Sequence, residues 1–334
     1  MYSIDRSHKN IDRIKITLKD IEVSFLNLGA TIYDIKTKDI NQNFESILLQ
    51  YDSFDSYVND SLYLNKTVGP LSGRTKNASF MIKDSIHTFD KNENNQNNLH
   101  SGRHGLSHQT FSYRIIEQDD FTEVIFEYLD VSTKLYRGRQ IYTVIYRVFD
   151  SSVAITYNVK TTEDIVVNMT NHAYFNLSGN TKRDILKHNV FIDTSTVLQV
   201  DDLNVPISVS DVPARLDMKQ NNHVIQHFLE DVSNPKSGLD HQFLLNDPSI
   251  HKVKASLYDS ISKRQLEVYT SYPVIVCYTH NYAGTKKLKG NITILNFVGS
   301  SPLSKSTAAL NLKELIYDKF LGFKRFQVIT IATE

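Results

Sequence analysis

The chain has 334 residues, 40% of them hydrophobic, and 37 Lys plus Arg against 37 Asp plus Glu, for a formal net charge of zero. That length allows one large or two ordinary domains around a substantial core. The balanced charge, with no dense basic stripe, excludes a surface built to track a nucleic-acid backbone. The opening segment, Met1 to Asn10, lacks the apolar centre of a signal peptide, and no apolar run is long enough to cross a bilayer. The expectation is a soluble, cytoplasmic protein with a neutral small-molecule partner.

Period-two alternation starts at once. Ile14, Ile16 and Leu18 alternate with Lys15, Thr17 and Lys19, then Ile21, Val23 and Phe25 with Glu22 and Ser24, which predicts half-buried strands. Helical periodicity is confined to short stretches, Ser53 to Val58 and His223 to Val232. The amide-rich run from Lys91 to Asn98 predicts a solvated loop, and it leads into Leu99-His100-Ser101-Gly102. His100, His104 and His108 are four apart, so a helix would gather them on one face as a metal site. Gly102 and Gly105 oppose that helix, and the preferred reading is a glycine-rich loop presenting His100, with no metal. Tyr142, Val144, Tyr146 and Val148, then Val153, Ile155, Tyr157 and Val159, predict a β-hairpin turning at Asp150 to Ser152.

The most informative stretch runs from Val166 to Gly179. Read as one strand, it places Asn168, Thr170, His172, Tyr174 and Asn176 on one face and Val167, Met169, Ala173, Phe175 and Leu177 on the other, with Asn171 the sole polar intruder. Such a strand could floor an open cleft. His172 is then either a half-exposed histidine with a hydrogen-bond partner or a proton-transfer group, histidine being the side chain that titrates nearest neutral pH. The single cysteine, Cys277, cannot form an internal disulfide and fits a small buried apolar position. Many short strands with no Pro/Gly/Ser-rich linker predict an all-β chain, a large antiparallel β-sandwich forming a single domain over residues 1–334. There is no Gly-x-Ser-x-Gly elbow, phosphate-cradling loop or dinucleotide turn to support hydrolase, NTPase or dehydrogenase chemistry.

Thr170-Asn-His-Ala-Tyr-Phe-Asn-Leu177 resembles the signature of aldose 1-epimerases, the galactose mutarotase family. Further elements follow in the family's order: Asn27 to Ile32, Gly73-Arg-Thr-Lys-Asn77, Leu99-His-Ser-Gly102, Leu239-Asp-His-Gln-Phe243, and Pro273 to Asn281. The resemblance covers nearly the whole chain and implies the supersandwich fold. It also implies interconversion of the α and β anomers of a hexose in carbohydrate metabolism, with no cofactor. The family's acid falls on His172, and its sugar contacts fall on His100, Asn77 and Asp240. On sequence alone Asp240 is equally a turn residue after Ser237-Gly238.

Three positions depart from the family pattern. The arginine that follows the asparagine of Gly-Arg-x-x-Asn is Ala78 here, and a glutamine of the Pro273 strand is Val276. The C-terminal glutamate that serves as base falls, without a gap, on Lys313. Glu314 is adjacent, and a bulge is needed to turn it into the cleft. Two alternatives therefore stand beside the epimerase: a non-catalytic sugar-binding protein of the same fold, and an epimerase for a different sugar, a phosphorylated one among the options.

Overall fold

The computed structural model describes residues 1–8, 10–219, 223–229, 238–279, 295–299, 316–317 and 323–333, the last three segments as backbone alone. Three antiparallel sheets dominate. The first is a five-stranded meander of Tyr2–His8, Ile11–Thr17, Ile21–Leu26, Thr31–Lys38 and Phe44–Ser46. The second has eight strands in the order Ser112–Glu117, Thr122–Asp130, Gln140–Phe149, Ser152–Thr161, Phe323–Thr333, Arg264–Thr270, Ala255–Tyr258 and Asn189–Ile192. The third has six: Tyr174–Phe175, Leu295–Gly299, Val274–Tyr278, Asp240–Leu245, Thr194–Val200 and Pro206–Asp211.

Alternation explains why these strands stack. Ile14, Ile16, Val23 and Phe25 from the first sheet, Tyr142, Tyr146 and Val148 from the second, and Phe243, Ile275 and Cys277 from the third are all buried in one cluster. Each strand offers an apolar face at period two, and the sandwich is the arrangement that hides those faces together. The predicted hairpin forms with Phe149 opposite Ser152, leaving a two-residue turn. α-Helix is limited to short pieces, Asp55–Val58 and Ile225–Leu229 among the described residues. Each falls inside a stretch where the sequence pattern placed one.

The expectation for Val166 to Gly179 needs correction. The stretch is not one continuous strand but three two-residue pieces, Ile165–Val166, Thr170–Asn171 and Tyr174–Phe175, each paired with a different partner. Its polar side does not floor an open cleft, since Asn168, Thr170, Tyr174 and Asn176 are all buried. Asn168 donates to the Ser72 carbonyl and Asn176 to that of Arg183. Asn171, the intruder on the apolar face, donates to the Asn65 carbonyl and to the Tyr146 hydroxyl. Amides placed this deep need such partners, and satisfying them takes the chain out of regular strand geometry. Within residues 165–179 only His172 keeps partial exposure.

Candidate active site

His172 is fixed by its backbone. Its N–H donates to the Lys66 carbonyl at 2.8 Å and its carbonyl accepts from Asn65 N–H at 3.1 Å. The segment that grips it is conformationally costly, because Tyr63 (φ 53°) and Asn65 (φ 59°) both occupy the left-handed region that non-glycine residues avoid. Beneath lies a buried polar cluster. Asp60 accepts from the Tyr51 hydroxyl and from the Leu62 and Leu64 N–H groups. Lys66 Nζ stands 3.4 Å from Asp60 and donates to the Tyr57 carbonyl.

His100 comes from a separate turn, where His100, Ser101 and Gly102 all have positive φ. A Cβ at Gly105 would come within 2.6 Å of the His100 carbonyl oxygen, so the turn closes only around glycine. His100 Nδ1 accepts from Gly73 N–H at 3.1 Å. Burial, aided by nearby His172 and Arg74, holds this histidine well below its ordinary range. A neutral ring whose Nδ1 accepts must carry its proton on Nε2. His100 therefore faces its surroundings as a donor.

The two imidazoles meet edge to face with centroids 5.3 Å apart. Tyr63 lies against both, 4.6 Å from His100 and 6.2 Å from His172. Burial and the Asp60 and Glu93 carboxylates push its phenol up to about 12, so it stays protonated. Tyr63 was not among the expected site residues, and nothing in its loop sequence marks it. His108 also reaches Tyr63, at 6.0 Å, so the loop does not bring His100 alone. His104 turns away to Arg103 and Asp90. Among the described residues no three His, Cys, Asp or Glu side chains gather as metal ligands.

Arg74 is a second residue beside the histidines that was not among the expected site residues. It pairs with Leu99, beside His100, in a short two-stranded ladder, and its guanidinium is held by Glu93 at 2.8 Å. Ala78, where the family arginine was expected, is 1% exposed. That position faces the interior, and Arg74 is the cation next to His100. Asn77 is exposed on a left-handed turn, its N–H bonded to Asn97 and its amide oxygen accepting from Gln96. The amide-rich loop is thus solvated only in part: Asn97 and Asn98 are fully buried, and the Asn98 amide donates to the Asp90 carbonyl.

Asp240 opens its strand opposite Tyr278, which lies opposite Asn296, which lies opposite Tyr174. Residues directly opposite share a face, so one row crosses the sheet from Tyr174 to Asp240. Ring contacts continue it, with Tyr174 6.1 Å from Tyr278 and 5.2 Å from His172. Beyond Asp240 lies a cavity of about 430 Å³ whose lining includes Gln199, Asn204, Arg215 and His241 but neither His100 nor His172. Lys313 and Glu314, the two candidates for the base, lie outside the described residues.

A β-sandwich that carries two imidazoles, a phenol, a guanidinium and a carboxylate along one half-open face can bind a small polyhydroxylated molecule and move protons at one end of it. The chain belongs to the aldose 1-epimerase family, whose model matches residues 12–295. It is 26% identical over 283 residues to the galactose mutarotase of Bos taurus, spanning 84% of this chain and 80% of that one. It is 28% identical over 273 residues to the aldose 1-epimerase of Escherichia coli, spanning 80% and 78%. Its fold matches an aldose epimerase homologue from C. elegans with a TM-score of 0.84 at 20% identity, covering 96% of this chain and 98% of that one. A galactose 1-epimerase from Lactobacillus acidophilus matches with a TM-score of 0.85 at 20% identity, covering 100% and 98%.

Proposed function

We propose that this protein is an aldose 1-epimerase that interconverts the α and β anomers of a hexose. Anomer exchange needs a proton delivered to the ring oxygen while another leaves the anomeric hydroxyl. The C1–O5 bond then breaks, the aldehyde turns about C1–C2, and the ring recloses with the proton roles reversed. One acid and one base suffice, without a cofactor. His172 is the acid in this reading and Glu314 the base. His100, as an Nε2–H donor, and Arg74 hold oxygens near the ring oxygen, and the carboxylate of Asp240 accepts from hydroxyls at the far end. Asn77, tied to Gln96, has a more distant part at the rim. The observation that carries the reading is the 5.3 Å pairing of His100 with His172, the one partly exposed residue of its stretch.

The test is polarimetry on freshly dissolved α-galactose and α-glucose. Wild-type protein should speed the approach to anomeric equilibrium, and His172→Ala should lose about a hundredfold or more in kcat while staying folded. Calorimetric sugar binding without turnover by the wild type would make this a binding protein instead. Turnover unchanged in His172→Ala would remove histidine from the acid role.

A further inference from the structure

Gln242 lies two residues beyond Asp240 on the same strand and the same face, directly opposite Val276. The intervening face is spoken for, since Phe243 on that strand and Ile275 and Cys277 on the next belong to the core cluster. Gln242 and Val276 are both half-buried on the face away from that core. No hydrogen bond joins the Gln242 amide to another described residue. A half-buried amide with four hydrogen-bonding capacities and no hydrogen-bond partner among the described residues is suited to a ligand.

The register says what it would face. Val276 pairs with Val298, and Tyr174 pairs with Asn296 on that same central strand. The Gln242–Val276–Val298 row therefore lies one like-facing step from the row that ends at Tyr174, and His172 lies against Tyr174 with ring centroids 5.2 Å apart. The preceding strand piece, Thr170–Asn171, also lies near Leu295–Gly299, so the chain stays close to that strand on both sides of His172. Three strand spacings separate the strand of Tyr174, beside His172, from that of Gln242, roughly 14 Å between backbones. A hexose ring with its hydroxyls, plus a hydrogen bond of about 3 Å at each end, fills that span.

We infer that Gln242 is a sugar-positioning residue. It binds the hydroxyls remote from the anomeric centre, from the strand next to the one where Val276 offers no polar group, and it sets which hexoses the site prefers. This rests on the epimerase reading and refines it.

The experiment compares kcat and KM for galactose and glucose in wild type, Gln242→Leu, Gln242→Glu, and Gln242→Leu combined with Val276→Gln. Loss of one such contact should raise KM by about tenfold. The rise should differ between the two sugars, which are epimers at one hydroxyl, with kcat within about twofold and the pH profile unmoved. Returning an amide one strand over in the double variant should recover part of the loss. Should Gln242→Leu not fold, Gln242→Glu, which keeps the shape and the acceptor but drops the donor, is read the same way. Unchanged KM for both sugars, or a fall in kcat at constant KM, would overturn the inference while leaving the epimerase reading intact. A wild type without turnover would remove both.

Discussion

Arg74 shows what strand register adds to a motif at the scale of one side chain. Counting along Gly73-Arg-Thr-Lys-Asn77 put the sugar-contacting cation at Ala78, and by that count it was missing. The backbone places Arg74 beside Leu99 and therefore beside His100, and the bidentate hold of Glu93 fixes the direction of its guanidinium. An arginine clamped by a carboxylate keeps donors for a second acceptor, because its planar fork carries five N–H groups. Arg74→Met should therefore weaken sugar binding more than it slows the chemistry, raising KM by about ten- to a hundredfold for a charge-assisted contact. Steady-state kinetics on galactose would check this. An unaltered KM would mean that Arg74 serves only its pairing with Glu93.

At the scale of elements, legibility in the sequence followed what each element packs against. The Gln140–Phe149 and Ser152–Thr161 hairpin was readable because one face meets the core and the other does not, so burial and sequence alternate together. The stretch around His172 was readable in composition but not in geometry. Covered on both sides, its asparagines answer to individual backbone carbonyls and not to a sheet ladder, and no period betrays that. The segment from Asp60 to Lys66 was not readable at all. Its Asp60–Lys66 pair, 1% exposed or less on each side chain, stands in a loop, where a charged residue is ordinarily solvated. Lys66→Met should leave the Asp60 carboxylate buried without its cation and cost about 3 kcal/mol or more in stability, whereas adding Asp60→Asn should recover much of it. Because the Lys66 carbonyl holds His172, kcat should fall as well. Urea unfolding of the two variants checks the energetic part. A loss under about 0.5 kcal/mol, the size of an ordinary surface change, would show the pair to be dispensable.

For the whole molecule, histidines sheltered from water make folding a function of pH. His188 is 1% exposed, its Nε2 accepts from Leu177 N–H, and its Nδ1 has no hydrogen-bond partner among the described residues. Burial pushes it down to about 4, outweighing the nearby Asp259 carboxylate. His241 is half-buried, and desolvation with Arg215 nearby brings it likewise down to about 4, while His100 lies well below its ordinary range. In the unfolded chain each of these titrates near 6.5. Between pH 6.5 and 4 the unfolded state therefore binds more protons than the folded one, and stability declines as pH falls through that window. Above about 6.5 both states carry neutral imidazole and the contribution is flat. For a group at about 4, the loss between pH 7 and pH 5 comes to about 2 kcal/mol. His188→Gln, which removes the titrating group and keeps an acceptor near Leu177, should shrink the pH 7 to pH 5 difference by about that amount even if the variant is less stable at both. Urea midpoints at the two pH values provide the comparison. An undiminished difference in the variant would place the acid sensitivity in other groups and show His188 to be protonated more easily than its burial implies.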